Sequence, residues 1–385
     1  MLSDKEIVCP NNLLNVAHKK KGVVAGIVNA GKPLPMLSVM DAVKEDLIFP
    51  IFIGDKDEIQ KCADNLKFDI SKFEIIHESV ENNTAKVAAK LASENKIRII
   101  VKGHIHTDIL MKEVLKREYN LLGKTRLSHI WHMTLNKEDK PLIITDGALN
   151  VLPNVKTKMH ILKNVINFSN RIGNERPKVA VLSATEEVLD SVQSSLDAKE
   201  ITELAKKENL NADVFGPLAF DNSISKKSAA IKGIKNAVAG QADVLLVPSV
   251  EAGNGLVKMM IYFMGACAAG VVIGGKVPVV ITSRSDEAQA RLASIAAAVV
   301  AWPGLSAAAR RWQPASQDRD AIRSKPQFHL HDTRHTVAHR RIRLRRDFAP
   351  CGRPEHWRHG HNRQDNSPNT APLHIELGDY ALDII

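Results

Sequence analysis

The chain has 385 residues, of which 44% are apolar and 25% are charged. These shares are close to those of folded globular proteins, so the composition excludes a chain that is disordered throughout, and the length favours more than one domain. The formal net charge of +10 would favour an acidic partner such as a nucleic acid. Thirteen arginines follow Trp302, however, and only seven precede it. The body of the chain is therefore only mildly basic.

The sequence gives no sign of a membrane or secretory segment. No apolar run reaches the roughly 18 to 20 residues of a membrane helix, and residues 1–22 lack the apolar stretch of a signal peptide. We therefore expect a cytoplasmic protein. The four cysteines lack paired spacing, which argues against a disulfide framework and a structural zinc site: Cys9, Cys62, Cys267 and Cys351.

Short β-branched runs alternate with amphipathic stretches from residue 23 to residue 302. This alternation predicts an α/β fold built on a parallel sheet. Predicted strands span residues 23–28, 49–53, 98–102, 142–145, 179–182, 244–247, 270–273 and 277–281. Predicted crossover helices span residues 85–93, 155–168, 198–207 and 286–300.

Three regions are predicted along the chain. Residues 1–22 form an N-terminal extension, and residues 23–302 form a catalytic region of two α/β subdomains, the second starting after the turn formers of residues 170–177. Residues 303–385 are rich in arginine and histidine without a sustained period, so we expect them to be disordered or the product of a shifted reading frame. Nucleic-acid binding through this basic tail is one alternative function.

Glycine and polar residues follow the predicted strand at residues 244–247. Glu251, Gly253 and Asn254 are predicted to form a turn before a helix that starts at Leu256. Ligands of doubly wound sheets bind beyond the carboxyl ends of strands, where glycines let the backbone approach and helix N-termini attract anions. The turn is thus a candidate phosphate site. The alternative is that Gly253 and Gly255 only shape a turn with positive φ.

A second polar cluster follows the predicted strand at residues 277–281. Ser283 and Arg284 come directly after it, so a hydroxyl and a guanidinium could reach one crevice, the first donating to an oxyanion and the second binding phosphate. The alternative is that Ser285 or Asp286 caps the following helix.

Two further junctions carry the same kind of residue. Lys102, Gly103 and Thr107 stand between a strand and a helix, and Asp221 and Asn222 precede a predicted helix, where capping is the alternative. His104 and His106 alternate beside the first junction without an evident third ligand, so no metal site is expected.

Taken together, these motifs closely resemble the phosphate acetyltransferase and phosphate butyryltransferase family, and their order along the chain matches. The resemblance covers residues 23–300. It rests on Lys102-Gly103 with Thr107, Leu127-Ser128-His129, Thr145-Asp146, residues 216–219 with Asp221-Asn222, residues 251–254 and residues 282–284.

The resemblance implies a two-domain α/β fold shared with isocitrate and isopropylmalate dehydrogenases, with the active site in the cleft between the domains. It implies reversible exchange of an acyl group between coenzyme A and inorganic phosphate, without a metal or redox cofactor, by a homo-oligomer. Ser283 and Arg284 match the family positions that stabilise the oxyanion and hold phosphate, and Asn254 is a candidate ligand for phosphate or the acyl carbonyl.

The resemblance leaves the base, a second arginine and the acyl group open. An aspartate expected seven residues after Ser283 is replaced by Ala290, so Asp286 is the candidate base. Arg126 is either a second phosphate ligand or a solvated loop charge. The acyl group, acetyl or butyryl, stays undecided, and a hydroxy-acid dehydrogenase of the same fold is the other alternative, although the aspartate cluster that its metal would need is not found.

Overall fold

The computed structural model describes residues 2–137, 140–283 and 286–304. The described residues form one sheet of eleven strands with helices on both faces. The predicted tail lies outside the described residues from residue 305 onward. The strands are β1 (Val23–Val28), β2 (Ile48–Gly54), β3 (Ile75–His77), β4 (Ile99–Lys102), β5 (Ser128–Thr134), β6 (Leu142–Thr145), β7 (Lys178–Leu182), β8 (Asp213–Leu218), β9 (Val244–Leu246), β10 (Cys267–Ile273) and β11 (Val279–Val280).

Some of the helices begin at a side-chain cap. Asp55, Asn154 and Ser249 each accept a backbone N–H of the first turn that follows them. The helices are α1 (Asn11–Ala17), α2 (Pro33–Lys44), α3 (Lys56–Asn65), α4 (Glu81–Ser93), α5 (Thr107–Val114), α6 (Val155–Arg171), α7 (Gln193–Lys207), α8 (Phe220–Ile224), α9 (Lys226–Ile231), α10 (Val250–Met264) and α11 (Ala288–Ala301).

The strand order is β3-β2-β1-β4-β11-β10-β5-β6-β9-β7-β8. The first five strands are parallel to one another, and so are the last four, but β10 and β5 are antiparallel to their neighbours on both sides. The expectation of a parallel sheet was therefore wrong, because the sheet is mixed. Three successive reversals make the two parallel blocks run in opposite directions.

This reversal decides which strand ends lie together. The carboxyl ends of β4 and β11 lie at one edge of the sheet, and the carboxyl ends of β6 and β9 lie at the opposite edge. Helix α10 starts just after β9 and leads back to the start of β10, which lies at the edge where β11 ends.

The core is centred on α11, an alanine-rich helix against the sheet. Ala293, Ala296 and Ala297 are fully buried in the cluster that also holds residues of α1, α2 and α6. Small side chains let the neighbouring elements approach this helix closely. Leu13 of α1 is equally buried, so the N-terminal segment contributes to the core.

Each strand predicted from an apolar run is present, with bounds that agree at β1 and β6 and shift by a few residues elsewhere. The sequence missed β3, β5 and β8. Among the described residues, no helix combines the length and the apolar character that a membrane span requires.

The start of α10 corrects the predicted glycine turn. The helix begins at Val250 instead of Leu256, so Glu251, Gly253 and Asn254 lie in its first turns. Neither Gly253 nor Gly255 has a positive φ, which also excludes the alternative explanation of these glycines. A Cβ at position 253 would stand 2.6 Å from Cα of Gly147 and 2.9 Å from Cγ2 of Val247. Gly253 therefore lets α10 pack directly on the loop that follows β6.

We expect Gly253→Ala to destabilise the fold and Gly255→Ala to spare it. The first change forces a backbone shift that lowers the free energy of unfolding by about 1–3 kcal/mol. A Cβ at position 255 would meet no heavy atom within 4 Å, so alanine there adds up to about 1 kcal/mol of helix propensity. Urea denaturation measures both changes, and equal stability of the two variants would contradict this packing.

Candidate active site

The carboxyl ends of β4 and β11 lie side by side. The two strands pair in parallel, with Val280 opposite Val101, so the residues that follow them emerge at the same edge. Lys102 is buried, and its Nζ donates to the carbonyl of Thr282 at 3.5 Å. The structure therefore brings Lys102 and the segment leading to Ser283 together.

Gly103 and Thr107 shape the junction after β4. The N–H of Gly103 donates to the carbonyl of Val28 at 2.8 Å, and a Cβ at position 103 would stand 2.4 Å from the carbonyl oxygens of Val28 and Asn29. Glycine is thus required at position 103 for the backbone after β4 to pack against the end of β1. Thr107 is buried as the first residue of α5.

Asp286 closes the segment after β11. Its Oδ2 accepts the backbone N–H of Ser283 at 2.7 Å, and its own N–H donates back to the carbonyl of Ser283 at 3.2 Å. The N-cap position of α11 is Glu287, without a side-chain capping bond, so Asp286 does not cap this helix. Ser285 and Arg284 lie outside the described residues.

Burial raises the pKa of the Asp286 carboxyl above its usual range. The hydrogen bond from Ser283 and the positive charges of Lys258, Arg291 and Lys102 act in the opposite direction. The result is a carboxylate with more proton affinity than an exposed aspartate, beside the candidate serine.

Arg291 binds the same segment and was missed by the sequence analysis. The residue is buried in α11, and its guanidinium donates to Oγ1 of Thr282 at 2.8 Å, to the carbonyl of Ser283 at 2.6 Å and to the carbonyl of Asp286 at 3.0 Å. It is the only charged residue of this largely apolar helix. A lone charge in a buried alanine-rich stretch was the signal that could have found it.

A cavity of about 170 Å³ opens beside Asp286. The cavity is lined by both charged and apolar side chains, which come from α10, α11 and the N-terminal segment. The lining includes Ile7, Lys258, Tyr262, Ala268, Asp286 and Ala290. Lys258 of α10 and Asp286, which follows β11, thus border the same cavity.

A second cluster lies around the carboxyl end of β6. Nε of Arg126 donates to Asn150 at 2.9 Å, and Asn150 donates in turn to Asp146 at 2.6 Å. Asp146 is buried, and it also accepts the backbone N–H groups of Ala148, Leu149 and His129. Arg126 is therefore partly buried and held by Asn150, which excludes the alternative that it is a solvated loop charge.

His129, which belongs to one of the recognised motifs, lies in the core. Burial lowers the pKa of its imidazole to about 3, and neither ring nitrogen has a partner among the described residues. The ring lies 4.4 Å from that of Trp131, centroid to centroid. His129 is thus a neutral packing residue whose backbone orients Asp146.

The first turns of α10 contact this second cluster. Nδ2 of Asn254 donates to the carbonyl of Gly147 at 3.4 Å, while Glu251 is exposed. A hydrogen bond from Ser249 lowers the pKa of Glu251. Lys258 follows Asn254 by about one helical turn, roughly 6 Å along the axis. The whole of α10 runs from the end of β9 to the start of β10.

A third cluster holds Asp221 and Asn222 in α8. Asn222 is buried and donates to Glu186 at 3.2 Å. Lys232 lies 2.9 Å from Glu186 and 3.9 Å from Asp221. Both residues lie inside α8 instead of preceding a helix. The next helix, α9, is capped by Ser225 itself, so neither residue is its cap. No contact of this cluster joins it to the end of β11 within the described part of the chain.

The histidines beside β4 do not assemble a metal site. Nδ1 of His106 lies 2.9 Å from Oε1 of Glu81, which also accepts the backbone N–H of His106 at 2.7 Å. Across residues 2–137, 140–283 and 286–304 there is no group of three or more histidine, cysteine, aspartate or glutamate residues arranged to hold a metal ion.

Comparison with known proteins gives one consistent family. Residues 55–299 match the family described as "Phosphate acetyl/butaryl transferase". The phosphate acetyltransferase of Rhizobium meliloti is 38% identical over 291 residues, covering 75% of this chain and 92% of that protein. The phosphate butyryltransferase of Clostridium acetobutylicum is 34% identical over 289 residues, covering 75% and 96%.

A solved structure agrees in both fold and sequence. The branched-chain phosphotransacylase of Enterococcus faecalis superimposes with a TM-score of 0.66 at 32% identity, and the match covers 74% of this chain and 100% of that one. The chain is therefore a member of the phosphate acetyl/butyryl transferase family.

Proposed function

We propose that this protein catalyses the reversible transfer of a short acyl group between coenzyme A and inorganic phosphate. A phosphate oxygen attacks the thioester carbonyl, the C–S bond breaks, and acyl phosphate and the coenzyme A thiol leave. The family match over residues 55–299 carries the proposal. The named relatives are acyltransferases, which favours this function over a hydroxy-acid dehydrogenase.

The end of β11 is the proposed reacting centre. Ser283 would donate a hydrogen bond from its hydroxyl to the oxyanion of the tetrahedral intermediate. One well-placed donor lowers the activation barrier by about 3–4 kcal/mol. Lys102 and Arg291 bring two buried positive charges to the backbone on either side of it. Arg284, outside the described residues, is proposed to hold the phosphate.

Asp286 is the proposed base. In the direction of acyl phosphate cleavage the coenzyme A thiol must lose its proton, because the thiolate is the nucleophile. A carboxylate whose pKa is raised by burial accepts a proton more readily than an exposed one. Asp286 also lines the cavity that Lys258 and Tyr262 of α10 border, which is consistent with access to a substrate.

The remaining candidate residues are proposed as contributors to substrate binding at a distance from the reacting centre. Asn254 and Arg126 belong to the anchored cluster at the end of β6, and Glu251 is exposed on α10. Gly103 and Gly253 allow close packing. Thr107, Asp221 and Asn222 stay predictions from the resemblance.

The division into subdomains, the oligomeric state, the cellular location and the cofactor requirement are also proposals. The reversal of strand direction at β10 and β5 is compatible with two subdomains and a cleft between them. We further propose a homo-oligomeric cytoplasmic enzyme that needs no metal or redox cofactor, since acyl exchange between a thioester and phosphate requires neither. Nucleic-acid binding through residues 303–385 remains the alternative for the tail alone.

We expect coenzyme A release when the protein is mixed with phosphate and acetyl-, propionyl- or butyryl-coenzyme A. Selectivity between thioesters that differ by one methylene should stay within about 10–200-fold, because one methylene changes pocket binding by about 1–3 kcal/mol. A thiol-reactive dye measures the release, and omission of phosphate is the control. Absence of phosphate-dependent release with all three thioesters would refute the proposed function.

We expect Ser283→Ala and Arg284→Ala to differ in kind. Loss of the hydroxyl removes stabilisation of the intermediate, so kcat falls by about 10²–10³-fold while the KM for phosphate changes little. Loss of the guanidinium raises the KM for phosphate. Steady-state kinetics with varied phosphate separates the two, and unchanged kinetics in both variants would remove this strand end from the site.

We expect Asp286→Asn to lower kcat/KM for coenzyme A in acyl phosphate cleavage by about 10²–10⁴-fold. In the wild type this constant should fall as the pH drops through the raised pKa of Asp286, because the protonated carboxyl accepts no proton. The variant should lack that acidic limb. The exposed neighbour Glu287, changed to glutamine, is the control. An acidic limb that persists in Asp286→Asn would exclude Asp286 as the base.

A further inference from the structure

Arg291 is a buried cation with an unusual set of acceptors. It is 5% exposed, and burying a charge is unfavourable unless hydrogen bonds satisfy it. Here the acceptors are Oγ1 of Thr282 and the carbonyls of Ser283 and Asp286, at 2.8, 2.6 and 3.0 Å. All three belong to the segment that follows β11.

The three acceptors stand on both sides of Arg284 in the sequence. Thr282 and Ser283 precede it, and Asp286 follows it. A single planar group on α11 therefore holds both ends of the segment that carries the candidate hydroxyl and the candidate phosphate ligand. Lys102 on β4 and the bond between Asp286 and Ser283 hold the same ends.

Only arginine supplies this geometry. Its guanidinium presents five N–H donors in a rigid fork, and Nε, Nη1 and Nη2 each bind a different acceptor here. The ammonium of lysine keeps the charge but is a compact group on a flexible stem, so it cannot reproduce the three directions. The interaction is thus one of shape as well as charge.

We propose that Arg291 is a positioning residue that fixes Ser283 in the geometry for acyl transfer, acting through Thr282 and the backbone carbonyls of Ser283 and Asp286. This inference rests on the proposed function of the β11 end. It assigns to α11, a largely apolar core helix, the role of holding the reacting hydroxyl. Misplacement of reacting groups by about 1 Å can lower a rate by about 10²-fold.

The test compares Arg291→Lys with Arg171→Lys. Arg171 is a partly buried arginine that binds Asn167 and the carbonyl of Trp302 at the end of α11, so it controls for loss of an anchored guanidinium. We expect Arg291→Lys to lower kcat by about 10²-fold with little change in either KM. Arg171→Lys should keep the wild-type kcat. Guanidinium added to Arg291→Ala should restore turnover, whereas ammonium should not.

Hydrogen exchange measured on the full chain without substrate supplies a readout independent of activity. We expect faster exchange of the Ser283 amide in Arg291→Lys than in the wild type and in Arg171→Lys. Thr282→Val, which removes a single acceptor, should lower kcat by less than Arg291→Lys does. If Arg291→Ala does not fold, the kcat of Thr282→Val replaces the guanidinium rescue as the second test of these hydrogen bonds.

The outcomes separate this inference from the proposed function. If the wild type forms no acyl phosphate, the function is wrong, and the exchange data still decide whether Arg291 holds the segment. If the wild type is active, wild-type kcat in Arg291→Lys, an equal loss in Arg171→Lys, or unchanged exchange at Ser283 would overturn the role of Arg291.

Discussion

The hydrogen bonds of the Arg291 guanidinium to the segment after β11 are the interaction on which the site depends. A charge inside an alanine-rich helix is tolerated only where oxygen acceptors satisfy it, and the acceptors here are the hydroxyl of Thr282 and the carbonyls of Ser283 and Asp286. The core helix and the candidate catalytic segment therefore constrain each other. Burial of α11 fixes the guanidinium, and the guanidinium fixes the segment.

The direction of the strands decides what else can reach that segment. Because β6 and β9 run opposite to β4 and β11, their carboxyl ends lie at the other edge of the sheet. Helix α10 runs between these two edges of the sheet. Its Asn254 donates to the carbonyl of Gly147 in the loop after β6, and the positive charge of its Lys258 acts on Asp286. The close contact of Gly253 with Gly147 sets the position of this helix.

The sequence predicted the element types well and their assembly less well. Apolar runs located β1 and β6 to the residue. They missed β5, because its buried Ser128, His129 and His132 interrupt the apolar pattern. Strand direction is not encoded in a short run, so the sheet was expected to be parallel. The glycines of α10 were interpreted as a turn, since glycine inside a helix is unfavourable unless close packing requires it.

In the candidate site, too, the sequence predicted some residues correctly and missed a contact that depends on the assembled fold. Ser283, Asp286 and Lys102 are adjacent, as their positions at strand ends indicated. Arg291 was not found, because its role depends on a contact between a core helix and a loop eight residues away, which no local motif reports. The recognised residues Asp146 and His129 proved to organise the backbone at the other edge.

The most direct test of the account is a double-mutant cycle between Ser283→Ala and Arg291→Lys, with acyl phosphate formation trapped as the hydroxamate. If Arg291 acts by placing Ser283 and both serve one reacting centre at the end of β11, the double variant should be about as slow as the slower single variant. Losses that multiply in the double variant would contradict the account, because they would mean that the two residues contribute independently.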